Sequence, residues 1–158
     1  MWAKALLLCN RHLKGVIGNI DVAMDTLAKC SGTGARETYE IMEYAADLIA
    51  RKIRIINLRV ITADMLNSLP HEKRRLLTGR YVYRANVKAF AEAEGVPVRS
   101  VYRRADGALQ SCAEYLQAEG FDSEYFESRY RDERWIVSHL RKFSEKESIE
   151  YETLTPRS

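Results

Sequence analysis

Arg99, Arg103 and Arg104, with Ser100 and Tyr102 between them, form a compact group of side chains able to hold an anion. A guanidinium is planar and presents its N–H donors as a fork, which matches the paired acceptors of a phosphate or the O6/N7 edge of guanine. Arg99 and Arg103 are one helical turn apart, so on a helix they point to the same side. If that helix enters a major groove, Arg99 and Arg103 are expected to reach base edges, with Tyr102 and Arg104, at the edges of that face, better placed for phosphates. Arg80, Arg84 and Lys88 lie shortly upstream and are expected to neutralise further phosphates, which adds affinity without reading sequence.

The other reactive side chains have no comparable setting. His12, His71 and His139 fall on three separate predicted helices with no partner motif. Cys9, Cys30 and Cys112 are far apart, lack C-x-x-C spacing and read as small buried hydrophobes rather than metal ligands. The acids Asp132, Glu133, Glu145 and Glu147 read as solvated helix surface. Ser31-Gly32-Thr33-Gly34 has the composition of a phosphate-binding loop but no following Lys-Ser/Thr pair, and is expected to be a turn. With no nucleophile-base pair, carboxylate pair or metal cluster, the sequence does not predict an enzyme, a cofactor or a metal.

The arginines need a rigid element, and the sequence supplies one. Val87 to Glu94 reads as a short helix, Gly95 as a sharp turn, and Val98 to about Ala118 as a second helix. A steep helix crossing needs a small residue where the helices touch, here Ala91, and a residue tolerant of positive φ at the turn, here Gly95. Phe90, Val96 and Val101 are expected to complete the small core. At 100° per residue, Val101, Ala105, Ala108, Leu109 and Cys112 form the buried side of the second helix. Arg99, Ser100, Arg103, Asp106 and Gln110 then lie opposite.

Upstream, Leu6, Leu13, Ile20 and Leu27 recur every seven residues, with Cys9, Val16, Ala23 and Cys30 three behind, predicting a long amphipathic helix. Gly15 and Gly18 fall off this stripe and mark a place for a kink or break. From Glu37 to Leu69 a second long helix carries Ile41, Leu48, Ile55 and Leu69 on one line and Tyr44, Leu58 and Met65 on another. Ile49, Ile53, Ile56 and Val60 form a further strip, predicting burial on more than one side. The two helices suit an antiparallel hairpin, and homodimerisation through the same surface is the competing arrangement. Pro70 starts a new module. After Gly120, capped by Asp122 or Ser123, a final helix is expected with Phe126, Tyr130, Val137 and Leu140 on one face, fraying from Lys146. The expected organisation is therefore all-α: a hairpin over 1–69, a helix-turn-helix domain over 70–118, and a C-terminal helix and tail over 119–158.

At 158 residues, with 46% hydrophobic and 30% charged residues, the chain can bury a core and is not disordered throughout. The net charge of +3 is unevenly spread. Residues 70–118 hold 9 basic against 5 acidic side chains, while 119–158 hold 7 against 10, so the middle segment suits an anionic partner. No apolar run approaches the ~20 residues of a membrane span, and a cytoplasmic location with no membrane partner is expected.

The run Leu69-Pro70, Arg80-Tyr81-Val82, Ala91-Glu92, Gly95-Val96-Pro97 and Val101-Tyr102-Arg103-Arg104 through Ala108-Leu109 resembles region 4 of bacterial sigma factors, the module that reads the −35 promoter element. Together with the upstream helices, the layout is similar to phage transcriptional regulators of the ArpU and RinA type. The resemblance covers roughly residues 1–118. It implies sequence-specific binding of double-stranded DNA, control of phage or prophage transcription, and DNA contacts from Arg99, Ser100, Tyr102, Arg103 and Arg104. No region 2 is readable, so a complete sigma factor is not expected. The alternative is a helical adaptor that docks on RNA polymerase or another regulator without touching DNA.

Overall fold

A computed structural model describes residues 2–29 and 35–154, without the side chains of 35, 36, 140, 144 and 147–154. The protein is all-α: 88% of its described residues are helical, with no strand among them. Its helices are α1 (Trp2–Lys29), α2 (Ala35–Asn67), α3 (His71–Leu77), α4 (Val87–Glu94), α5 (Val98–Ala118), α6 (Ser123–Tyr130) and α7 (Arg134–Leu154). Cys30 and the turn expected at Ser31-Gly32-Thr33-Gly34 lie outside the described residues.

Two compact units share the chain, one of residues up to 9 and from 65 onward, the other Asn10–Asp64. The second unit is a helical pair. Leu13 and Ile20 of α1 and Leu48, Ile55, Leu58 and Ile61 of α2 are all buried, so the heptad lines are consumed within the pair. Burying each such side chain is worth about 1.5–3 kcal/mol. Thr62 interrupts the line Ile41-Leu48-Ile55 as a fully buried polar residue, and its hydroxyl donates to the Leu58 carbonyl at 2.8 Å, which removes the penalty of an unsatisfied group. Lys52 of α2 and Asp21 of α1 form an ion pair at 2.5 Å.

Three expectations for this unit are corrected. Gly15 and Gly18 cause no break, because α1 runs continuously through both. Leu27 is only half-buried and Tyr44 is exposed. Ile49, Ile53, Ile56 and Val60 are exposed at 45%, 53%, 39% and 51%, so α2 is buried along one side and leaves its second apolar strip open.

In the first unit, Leu6, Leu7 and Leu8 from the start of α1 are buried with Leu77, Tyr81, Phe126 and Ile136. Trp2 stacks on Phe126 with ring centroids 4.8 Å apart, anchoring the first turn of α1 on α6. Tyr81 meets Phe143 of α7 at 5.5 Å. The chain after Gly120 folds as two helices where one was expected. Asp122 caps α6 by accepting from the Tyr125 N–H at 2.8 Å. The chain then turns at residues 131–133. Glu133, expected on the solvated surface, is buried and accepts the Trp135 indole N–H at 2.6 Å. The turn changes the register of α7, so Phe126 and Tyr130 are buried while Val137 is 56% exposed. The side chain of Leu140 is outside the described residues. The α7 backbone stays helical past Lys146, to Leu154.

Candidate nucleic-acid interface

The candidate interface is built on α4, a three-residue turn and α5, all in the first unit. Asn86 starts α4, its side-chain oxygen accepting from the Lys88 N–H at 2.9 Å, which satisfies one of the donors a helix start leaves unpaired. Gly95 ends α4 in the left-handed region at φ 64° and ψ 31°. Its N–H and that of Val96 reach back to the Glu92 and Ala91 carbonyls at 3.2 and 3.0 Å. This is the paired closure of a Schellman ending. Pro97 then opens α5, with its carbonyl accepting from the Ser100 N–H at 2.8 Å. A proline suits that position because its φ is already helical and no donor is lost.

α5 packs against both α3 and α4, and its sides divide much as the helical step predicts. Val101, Ala105, Ala108, Cys112 and Leu116 are buried. Arg99, Arg103, Asp106 and Gln110 are exposed, with Ser100 half-buried. Leu109 is half-buried rather than part of the core. Of the expected small core, Ala91 and Val101 are buried at 1% exposure each. Phe90 and Val96 are only half-buried, so they border the small core rather than fill it. The Arg75 guanidinium lies 6.0 Å from the centre of the Phe90 ring. The Lys73 ammonium donates to the Ser111 hydroxyl at 3.1 Å, tying α3 to α5.

The basic side chains fall into two groups. Arg99 and Arg103 are exposed and make no ion pair among the described residues. Arg84 and Lys88 are exposed as well. By contrast, Arg104 donates to the Glu94 carboxylate at 3.0 Å and ties α5 to the end of α4. The half-buried Arg80 lies over Tyr81 at 4.9 Å and Tyr102 at 4.4 Å, so its cation is held between two aromatic faces. Arg80 and Tyr102 thus pack on each other and link the segment before α4 to α5.

That segment has unusual backbone. Residues Thr78–Val82 form a π-helical turn, and the Tyr83 N–H reaches the Thr78 carbonyl at 3.0 Å. Arg84 follows with φ at 52°, a left-handed conformation that a long side chain rarely adopts. Neither feature was readable in the sequence, since no glycine or asparagine occupies position 84. Tyr83, which the sequence did not single out, is 76% exposed beside it. Its one sequence signal was an aromatic next to an arginine in a linking segment.

The aromatic side chains of the C-terminal helices pack among themselves, and Arg103 is exposed. Tyr130 is buried against Phe126, and the Trp135 ring meets His139 edge-on at 6.0 Å. Among the described residues no group of three His, Cys, Asp or Glu side chains is placed to hold a metal, and no helix is long and apolar enough to cross a membrane. Cys9 and Cys112 are free and buried; burial pushes their thiols up to about 12 and about 11, with Lys73 partly offsetting the rise at Cys112. The chain matches no protein-family model, no curated protein and no solved structure.

Proposed function

We propose that the protein is a sequence-specific regulator of transcription that binds double-stranded DNA, with α5 in the major groove. The observation that carries this reading is the pair Arg99 and Arg103: two exposed guanidinium groups one turn apart, on a helix whose opposite side is buried. A helix held on its far side is a rigid platform, and a rigid guanidinium fork discriminates guanine better than a mobile one. Ser100 sits between them as a short hydroxyl able to meet either strand. Arg84 and Lys88 are the free phosphate-binding cations of this reading, while Arg80, Tyr102 and Arg104 act chiefly by fixing α5 in place.

The sigma region 4 resemblance supports the same assignment and adds promoter control of the phage or prophage kind. In this reading the helical pair over 10–64 serves as the arm that meets a second copy or RNA polymerase.

Fluorescence anisotropy with labelled duplex DNA across a salt series tests the proposal. Wild type binds at low salt and loses affinity as salt rises, with a log–log slope of about −0.9 for each phosphate neutralised. The double variant Arg99→Ala/Arg103→Ala, folded by circular dichroism, loses binding. A folded wild type that shows no binding at low salt would reject the DNA reading in favour of the polymerase-docking adaptor.

A further inference from the structure

On α2, Met42, Ala46, Ile49, Ile53, Ile56 and Val60 are separated alternately by four and three residues. All six are exposed. Alternating four and three is the 3.5-residue repeat of a coiled-coil seam, and it runs here for about 28 Å without a charged residue. The seam lies on the side of α2 opposite Leu48, Ile55 and Leu58, which are buried in the helical pair. It is therefore a second apolar surface that the fold of one copy does not use.

We propose that this face of α2 is a homodimer interface, covered by the same face of a second copy running parallel to it. Two arguments select that occupant. The first is area. The six residues and their flanks expose on the order of 600 Å² per copy, at the upper end of the largest patch a monomer ordinarily carries. Pairing two copies removes on the order of 1,200 Å², the lower end of what a specific interface buries.

The second argument is charge. With Ala46, Ile53 and Val60 at a and Met42, Ile49 and Ile56 at d, Lys52 and Arg59 flank the seam on one side and Glu43, Asn57 and Asp64 on the other. In a parallel pair each flanking residue meets the one five positions further along the partner. Arg59 then faces Asp64 of the second copy and Lys52 faces Asn57, with no like charges opposed. An antiparallel seam sets Arg59 against Ala45 and forgoes the Arg59–Asp64 pair, while Lys52 stays engaged with Asp21 of its own copy. Isoleucine at both seam positions fits poorly in a bare two-stranded coil, but each α2 here carries α1 on its other side, so association makes a four-helix arrangement.

The pairing is independent of what α5 binds. Sedimentation equilibrium of the full chain at micromolar concentration tests it, with two variants: Ile49→Glu/Ile56→Glu, and Ala46→Arg, which adds a charge at the seam without removing any contact inside one copy. Wild type is expected at twice 18.2 kDa. Both variants are expected to dissociate at least tenfold more readily while keeping the helical circular dichroism signal. A monomeric wild type, a larger assembly, or variants that remain dimers would overturn the proposal. Disulfide formation between Ala46→Cys copies supports the parallel orientation, since an antiparallel seam separates these positions by about 15 Å; a dimer that fails to cross-link would overturn it.

Discussion

Two residues beside the arginine face hold left-handed backbone, and they are expected to respond to substitution in opposite directions. Arg84, at φ 52°, carries a side chain in a conformation that costs about 1–3 kcal/mol for a residue other than glycine. Arg84→Gly is therefore expected to raise stability by about 0.5–1 kcal/mol while weakening DNA binding, since it removes a free cation. At Gly95, φ is 64° and an added Cβ meets nothing within 4 Å. Gly95→Ala is still expected to cost about 1 kcal/mol, from backbone conformation alone. Chemical denaturation midpoints check both. If the two changes move the midpoint in the same direction, backbone conformation is not what the two positions have in common.

The buried thiols of Cys9 and Cys112 set a pH dependence at the same scale. Both are raised from an ordinary value of 9.0, to about 12 and about 11, by burial. The native state then holds protons that the unfolded chain releases, so stability is full below pH 9 and declines as pH rises from there toward 11–12. Denaturation between pH 7 and 10.5 is expected to show a plateau followed by a fall, reduced in the Cys9→Ala/Cys112→Ala variant relative to its own pH 7 value. An equally steep fall in that variant would assign it to other groups.

At the level of elements, α1 is an uninterrupted helix that contains two exposed glycines, Gly15 and Gly18, with open space around each. Neither is needed for a turn, so each is a propensity cost of about 1 kcal/mol relative to alanine. Gly15→Ala/Gly18→Ala is expected to raise the midpoint of thermal unfolding, and a decrease would mean that α1 bends there in solution. The boundary between α4 and α5 was legible because Gly95 is a strong local signal for a sharp turn; the Asn86 cap of α4 emerged only from the structure. The break between α6 and α7 was not, because residues 131–133 contain neither glycine nor proline, and nothing in the sequence marks Glu133 as the buried acceptor of the Trp135 indole N–H. Periodicity likewise identified both apolar strips of α2, but a repeat does not reveal whether the surface it marks is covered within one copy. The exposed arginine pair followed from the helical step. The packing of Arg80 on Tyr102 did not, because it requires contact between elements about twenty residues apart in the chain.

For the whole molecule, a net charge of +3 is too small to hold DNA by itself. On the proposed reading, affinity comes from a few well-placed cations and from the number of copies engaged. The proposed pairing through α2 brings two copies of α5 into one particle, which raises affinity for a duplex that carries two half-sites. Ala46→Arg, far in sequence from the proposed DNA-contacting residues, is accordingly expected to lower DNA affinity by at least tenfold while leaving the salt response of each half-site intact.

On the proposed reading, the exposed face of α5 reads bases. Selection of bound duplexes from a randomised library, run in parallel for wild type and Arg103→Ala, tests this. Wild type is expected to enrich a motif containing guanine, and Arg103→Ala to lose discrimination at one position by about 1–3 kcal/mol while keeping the rest of the motif. A wild type that enriches no motif, or a variant whose motif is unchanged, would contradict it.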